Sequence, residues 1–177
     1  MNHVQPQNLV LSIYPFSRGF AFVFFEGPEN PFDWGVKEVK EKHKNTKTLD
    51  EIKKLIDRYR PEVLVIEDTS DKESRRNSRI RKLYRMLVHL AAVEYIDLCR
   101  YTKIQIKECF ASVGASTKYE IAKAIVTQIP AFAHRIPPIR KPWMSEDPRQ
   151  SLFDAAALGL TYFARNIQSP YADDVAP

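Results

Sequence analysis

Two carboxylates stand out in this sequence because each sits among residues that do not favour a charge. Asp154 is the only charged residue between Ser151 and Ala164, which reads SLFDAAALGLTYFA. Apolar residues occupy every side of a helix drawn on that text, so the helix is expected to be mostly buried. An ionised carboxylate there is costly unless it is paired or coordinates a cation. Two readings stand side by side: a cation ligand, or an ion pair or exposed position beside the small alanines. Glu67 closes the run VLVIE. Ligands commonly bind beyond the carboxyl ends of sheet strands, although a strand also ends in an acid where it simply reaches water. Asp154 raises the significance of Glu67, because its helix must pack near the same sheet. Two or three hard oxygens at such a junction suit Mg²⁺, which keeps several of its waters. A pair of such ions would activate water and stabilise the leaving oxygen in phosphodiester cleavage.

A third chemical signal follows Glu67 directly. The text ESRRNSRIRKLYR places Arg75, Arg79 and Lys82 at i, i+4 and i+7, with Arg76, Arg81 and Arg85 nearby. These six cations repel one another, and Glu73 is the only acid close by. A phosphate-facing surface accounts for the run better than a merely solvated face, since counterion release favours binding of nucleic acid. Other signals are weaker. His3, His43, His89 and His134 show no ligand or triad spacing, and neither a phosphate-binding loop nor a dinucleotide fingerprint occurs. Trp143, in Arg140-Lys141-Pro142-Trp143, is expected to pack over the core, with stacking on a base as the alternative.

The elements that must position these residues follow from period and punctuation. Asn8 to Tyr14 and Gly19 to Glu26 read as strands, and Asp33 to Val39 as a third with one solvated face. Short turns between them imply antiparallel pairing. Thr48 and Glu51 suggest a capping box for a helix that ends before Pro61. Val63 to Ile66 reads as a strand buried on both faces. A helix from about Ser74 to Ile96 is expected to turn Ile80, Leu83, Leu87, Leu90 and Val93 inward, ahead of a short strand near Asp97 to Tyr101. Helical segments then fit Ile104 to Val113 and Lys118 to Ile129. Residues 130–148 are a proline-rich surface connection, and Asp147-Pro148 announces the last helix, running to about Ile167. The predicted fold class is α/β: a mixed five-stranded sheet, three antiparallel strands first, flanked by helices. Residues 8–167 form one domain, with flexible tails at 1–7 and 168–177.

Composition agrees with an ordinary folded domain. The chain has 177 residues, 44% hydrophobic and 28% charged, with a net charge of +5 that permits an anionic partner. Cys99 and Cys109 form no metal or disulfide framework, so the chain reads as reduced and cytoplasmic. The longest apolar stretch, Leu9 to Phe25, is interrupted by Pro15 and Arg18 and does not span a membrane.

With the strand order, the IED strand end (Ile66 to Asp68), the FDAAALGL helix and the first hairpin SIYPFSRGFAF (Ser12 to Phe22) in view, the sequence resembles the RuvC-like Holliday-junction resolvases of the RNase H-like superfamily. The resemblance runs from about Asn8 to Ala164. It implies an RNase H-like fold, Mg²⁺ or Mn²⁺ as cofactor, branched or duplex DNA as partner, and a dimer. It puts Glu67 on the family's strand-four glutamate and Asp154 on the last acid of its final helix. Lys107 and Lys118 fall on the two lysines near the scissile phosphate. Two family acids are missing: Tyr14 stands at the first-strand aspartate and Ser151 at the earlier acid of the last helix. A phenol, with a pKa of about 10, is a poor ligand for Mg²⁺ at neutral pH. The expectation is therefore a degenerate member that binds DNA with weak or no cleavage. Any residual site would use Glu67 and Asp154 as ligands and Asp68 in reserve, with Arg75, Arg76, Arg79, Lys82 and Arg85 holding the backbone. Two rivals follow: an active nuclease with a cage rebuilt from Asp68 or Asp147, and a scaffold that kept only the fold.

Overall fold

A computed structural model describes residues 8–166 apart from Asp71 and Glu73. The expected tails, 1–7 and 168–177, lie outside the described residues, as does Glu73 of the basic run. Three antiparallel strands open the chain: β1 (Val10–Phe16), β2 (Gly19–Gly27) and β3 (Asn30–Glu38). Helix α1 (Lys44–Tyr59) leads to β4 (Val63–Glu67), and α2 (Ser78–Val93) leads to β5 (Asp97–Tyr101). Helices α3 (Lys103–Ala111) and α4 (Lys118–Gln128), a 3₁₀ turn at Pro130–Arg135, and α5 (Arg149–Asn166) complete the order. The sheet runs β3-β2-β1-β4-β5, with β4 parallel to both β1 and β5. This is the mixed five-stranded sheet with flanking helices that the sequence predicts. None of the described helices is long and apolar enough to cross a membrane.

Strand periodicity divides the interior into two cores. Leu11, Ile13, Phe20, Phe22, Phe24, Leu64 and Ile66 face α1 and α2, while Val10, Val23, Phe25, Val63 and Val65 face α4 and α5. Alternation therefore turns Tyr14 and Glu67 to the α5 side. Ser12 pairs with Val65, so two residues further on Tyr14 and Glu67 reach the same end of the sheet. Helix α5 lies across β1 and β2, and an added Cβ at its Gly159 would come within 2.3 Å of the fully buried Phe25 ring. Only glycine lets the helix approach the sheet so closely.

Three local expectations are corrected. Helix α1 starts one turn before the expected Thr48–Glu51 capping box: Thr48 is buried inside it, and Glu51 pairs with Lys37 and Lys54. Tertiary bonds anchor that extra turn, from Lys44 to the Ser17 carbonyl (3.2 Å) and from Asn45 to the Arg79 carbonyl (3.0 Å). Helix α2 begins at Ser78, because the Asn77 side chain accepts from the Ile80 amide (2.9 Å) and caps it. Arg75 and Arg76 therefore precede the helix and share no helical face with Arg79 and Lys82. Val93, expected inward, is exposed where α2 ends. The sequence reading also passed over two complete capping boxes, Thr102/Gln105 on α3 and Thr117/Glu120 on α4.

Candidate functional site

The strand ends of β1 and β4, the segment leading into α2 and the first turns of α5 meet at one place. Glu67 is buried there, 3% exposed, and its Oε2 accepts three hydrogen bonds. Arg76 donates two of them, from Nη2 at 2.6 Å and Nε at 3.0 Å, and the Tyr84 hydroxyl donates the third at 3.3 Å. A third Arg76 nitrogen, Nη1, donates to the Pro15 carbonyl at 3.3 Å. The guanidinium lies over the Tyr14 ring, 4.4 Å from its centroid. The Arg76 side chain is 14% exposed. An arginine assigned from sequence to a phosphate-facing surface is thus held in the centre of the site. Tyr84, which the sequence reading missed, carried a usable signal: a polar-tipped residue beside the apolar stripe of α2.

Asp154 projects from α5 on the other side of Tyr14 and is 15% exposed. Lys118 donates to its Oδ2 and Gln150 to its Oδ1, both at 3.4 Å. Burial pushes the Asp154 carboxyl up to about 6, against the pull of Lys118. Lys118 is shared, also reaching Glu146 at 2.5 Å. Burial, with the Asp154 charge adding to it, pushes the Tyr14 phenol far above its ordinary value, so it stays protonated. At the other substituted position, the Ser151 hydroxyl donates to the Pro148 carbonyl at 2.5 Å.

The reserve acids are engaged locally. Asp68 accepts from the amide and hydroxyl of Ser70 (3.0 and 2.6 Å), which hold its carboxyl below the usual range. Asp147 pairs with Arg149 at 2.7 Å and accepts from its amide, and both lower its pKa.

The resemblance implies a divalent cation, and these donors do not fit one. Such an ion takes charged or polar oxygens that are free to turn toward it. Here the engaged oxygen of Glu67 is saturated by a guanidinium and a hydroxyl, Tyr14 is a neutral phenol, and Ser151 donates elsewhere. A fixed positive charge already occupies the place. Among the described residues, no group of three or more His, Cys, Asp or Glu side chains is positioned to hold a metal ion.

Two recesses open on either side of Tyr14. A 590 Å³ groove is lined by Arg18, Arg75, Arg76, Asn77 and the Ser145–Pro148 stretch. A 420 Å³ cavity is lined by Lys103, Lys107, Lys118, Glu67 and Asp154 over an apolar floor of Ile106, Ile121 and Leu158. Arg18, Arg75, Lys103 and Lys107 are exposed and form no ion pair among the described residues. The remaining basic residues divide. Arg79 donates to the carbonyls of Phe16 and Ser17 and to Asn45, and Arg81 donates to the carbonyls of Ser74 and Arg76. Lys82 and Arg85 are exposed on α2.

No family model matches the sequence, and no curated protein matches it. Solved structures do. RuvC of Thermus thermophilus in complex with a Holliday junction substrate aligns at a TM-score of 0.65 and 18% identity, over 91% of this chain and 96% of that one. The yeast mitochondrial Holliday junction resolvase Ydc2 aligns at 0.65 and 15% identity, over 94% of this chain and 82% of the other. Strand order, helix placement and these alignments agree: the chain has the RNase H-like fold of the RuvC-type resolvases.

Proposed function

We propose that this protein is a nucleic-acid-binding member of the Holliday-junction resolvase lineage that engages branched or duplex DNA and does not cleave it by a metal-dependent route. The observation that carries the reading is the replacement of a free carboxylate centre by an internal one: Arg76 neutralises Glu67 and covers Tyr14, while exposed cations line both recesses beside it. The outer cations suit a phosphate backbone and act through counterion release, which needs no metal. The inner cation stabilises the strand ends and neutralises Glu67, one of the two carboxylates a metal would need.

The test is an assay of the full chain with a four-way junction and a linear duplex, in Mg²⁺, in Mn²⁺ and in EDTA. Salt-sensitive binding that persists in EDTA, without nicking in either metal, is the expected result. Metal-dependent nicks lost in Asp154→Asn and in Glu67→Gln would overturn the loss of cleavage. Absence of binding at physiological salt would overturn the nucleic-acid reading and leave a scaffold.

A further inference from the structure

The proline-rich segment 136–148, between the 3₁₀ turn and α5, carries a feature that the site does not use. Trp143 is 78% exposed, beside exposed Ile139 and Met144. It does not pack over the core, as a loop tryptophan is expected to do. Its place at the tip is built by the local sequence. The Met144 amide donates to the Lys141 carbonyl at 3.0 Å, closing a four-residue turn with Pro142 at its second position and Trp143 at its third. Arg140 braces the turn from within, its Nε donating to the Met144 carbonyl at 2.6 Å. The tip is thus a stiffened apolar projection.

Charge around the tip indicates what it meets. The Lys141 Nζ lies 5.4 Å from the Trp143 ring centroid, with the Arg140 guanidinium also on the turn. The inner side of the same segment closes over a 320 Å³ cavity in which Arg18, Lys118 and Arg140 face Glu146 and Asp147. Its return stretch, Ser145–Pro148, walls the groove that holds Arg75 and Arg76. A flat indole flanked by Lys141 and Arg140 offers a stacking face to one base and charge to the adjoining phosphates. A base paired within a continuous duplex has no free face. A base at a branch point, bulge or single-stranded end does.

We propose that Trp143 is a stacking platform for an unpaired or unstacked nucleobase, and that the 136–148 segment thereby gives the protein its preference for branched or distorted DNA over continuous duplex. The proposal rests on the nucleic-acid reading above and adds the element that reads structure.

The experiment uses the full chain in a Trp34→Phe background, so that Trp143 is the sole tryptophan, with a four-way junction, a bulged duplex and a matched linear duplex as probes. Expected are saturable quenching of Trp143 by the junction and the bulge, and little quenching by the linear duplex. Trp143→Ala lowers affinity for junction and bulge about tenfold, the size of one lost base stack, and Trp143→Phe retains most of it. Affinity for linear duplex stays within about twofold, since phosphate contacts carry that term. Binding of junction without quenching, together with unchanged affinity of Trp143→Ala, overturns the platform and leaves the nucleic-acid reading intact. Absence of binding to all three probes overturns both.

Discussion

At the scale of single residues, the chemistry of the site turns on what Arg76 does to Glu67. The pair is buried, so removing one partner strands the other's charge. Arg76→Met is expected to cost about 3 kcal/mol of stability, and adding Glu67→Gln to that variant should restore more than half of it. Urea denaturation of the two single variants and the double variant measures this coupling. Additive losses would show that the two side chains do not act as a unit. Asp154 makes a prediction of opposite sign. Burial pushes its carboxyl up to about 6 in the folded chain from the ordinary 3.8. The folded state therefore holds a proton that the unfolded state releases between those values. The stability contributed by this group is full below 3.8 and is lost as pH rises through 6. Asp154→Asn removes that loss. Its stability relative to wild type should rise between about pH 4 and pH 6 and then level off, about 3 kcal/mol ahead. An Asn variant less stable than wild type at neutral pH would mean that the Lys118 pair outweighs the burial cost.

At the scale of elements, the site depends on how closely α5 approaches the sheet and where α2 begins. Gly159 allows the first, since a Cβ there would clash with the ring of the fully buried Phe25. Gly159→Ala should lower stability by about 2 kcal/mol, an overpacking cost, although alanine is the better helix former. Thermal unfolding distinguishes this from the gain that helix propensity alone would bring. The cap at Asn77 leaves Arg75 and Arg76 ahead of the helical cations, Arg75 exposed and Arg76 paired with Glu67. Arg79 in turn ties the β1–β2 turn to α1 through Phe16, Ser17 and Asn45. Arg79→Ala is therefore expected to act on stability, and Arg75→Ala on DNA affinity. A salt titration of binding separates them: the slope of log affinity against log salt should fall by about 1 for Arg75→Ala and stay unchanged for Arg79→Ala.

At the scale of the whole molecule, the sheet order and the two cores place three sequence-distant segments at one end of the sheet: the end of β1, the end of β4 with the stretch leading into α2, and the start of α5. The sequence by itself determined the elements that make this possible. The continuous apolar runs of β1 and β4, the proline stops, and the apolar continuity of α5 are local patterns, legible without reference to the rest of the chain. They also mark Glu67 and Asp154 as anomalous, because an acid in an apolar run is visible in one dimension. Only the tertiary structure decided what those acids meet. A cation at position 76 and a phenol at position 14 lie 62 residues apart in sequence, and no periodicity relates them. Whether an arginine in a basic run faces solvent or a buried glutamate depends on where the helix cap falls. That in turn depends on competition between one asparagine side chain and the backbone around it. The start of α1 has a different cause: bonds from Lys44 and Asn45 to carbonyls of other elements outweigh the local Thr48–Glu51 pattern. Trp143 shows the converse: its turn is written in Lys141-Pro142-Trp143-Met144, but its exposure depends on no element among the described residues packing over it. Sequence pattern specifies which groups are present and which way each element faces. Packing specifies which charges neutralise one another, because neutralisation requires contact across elements in three dimensions.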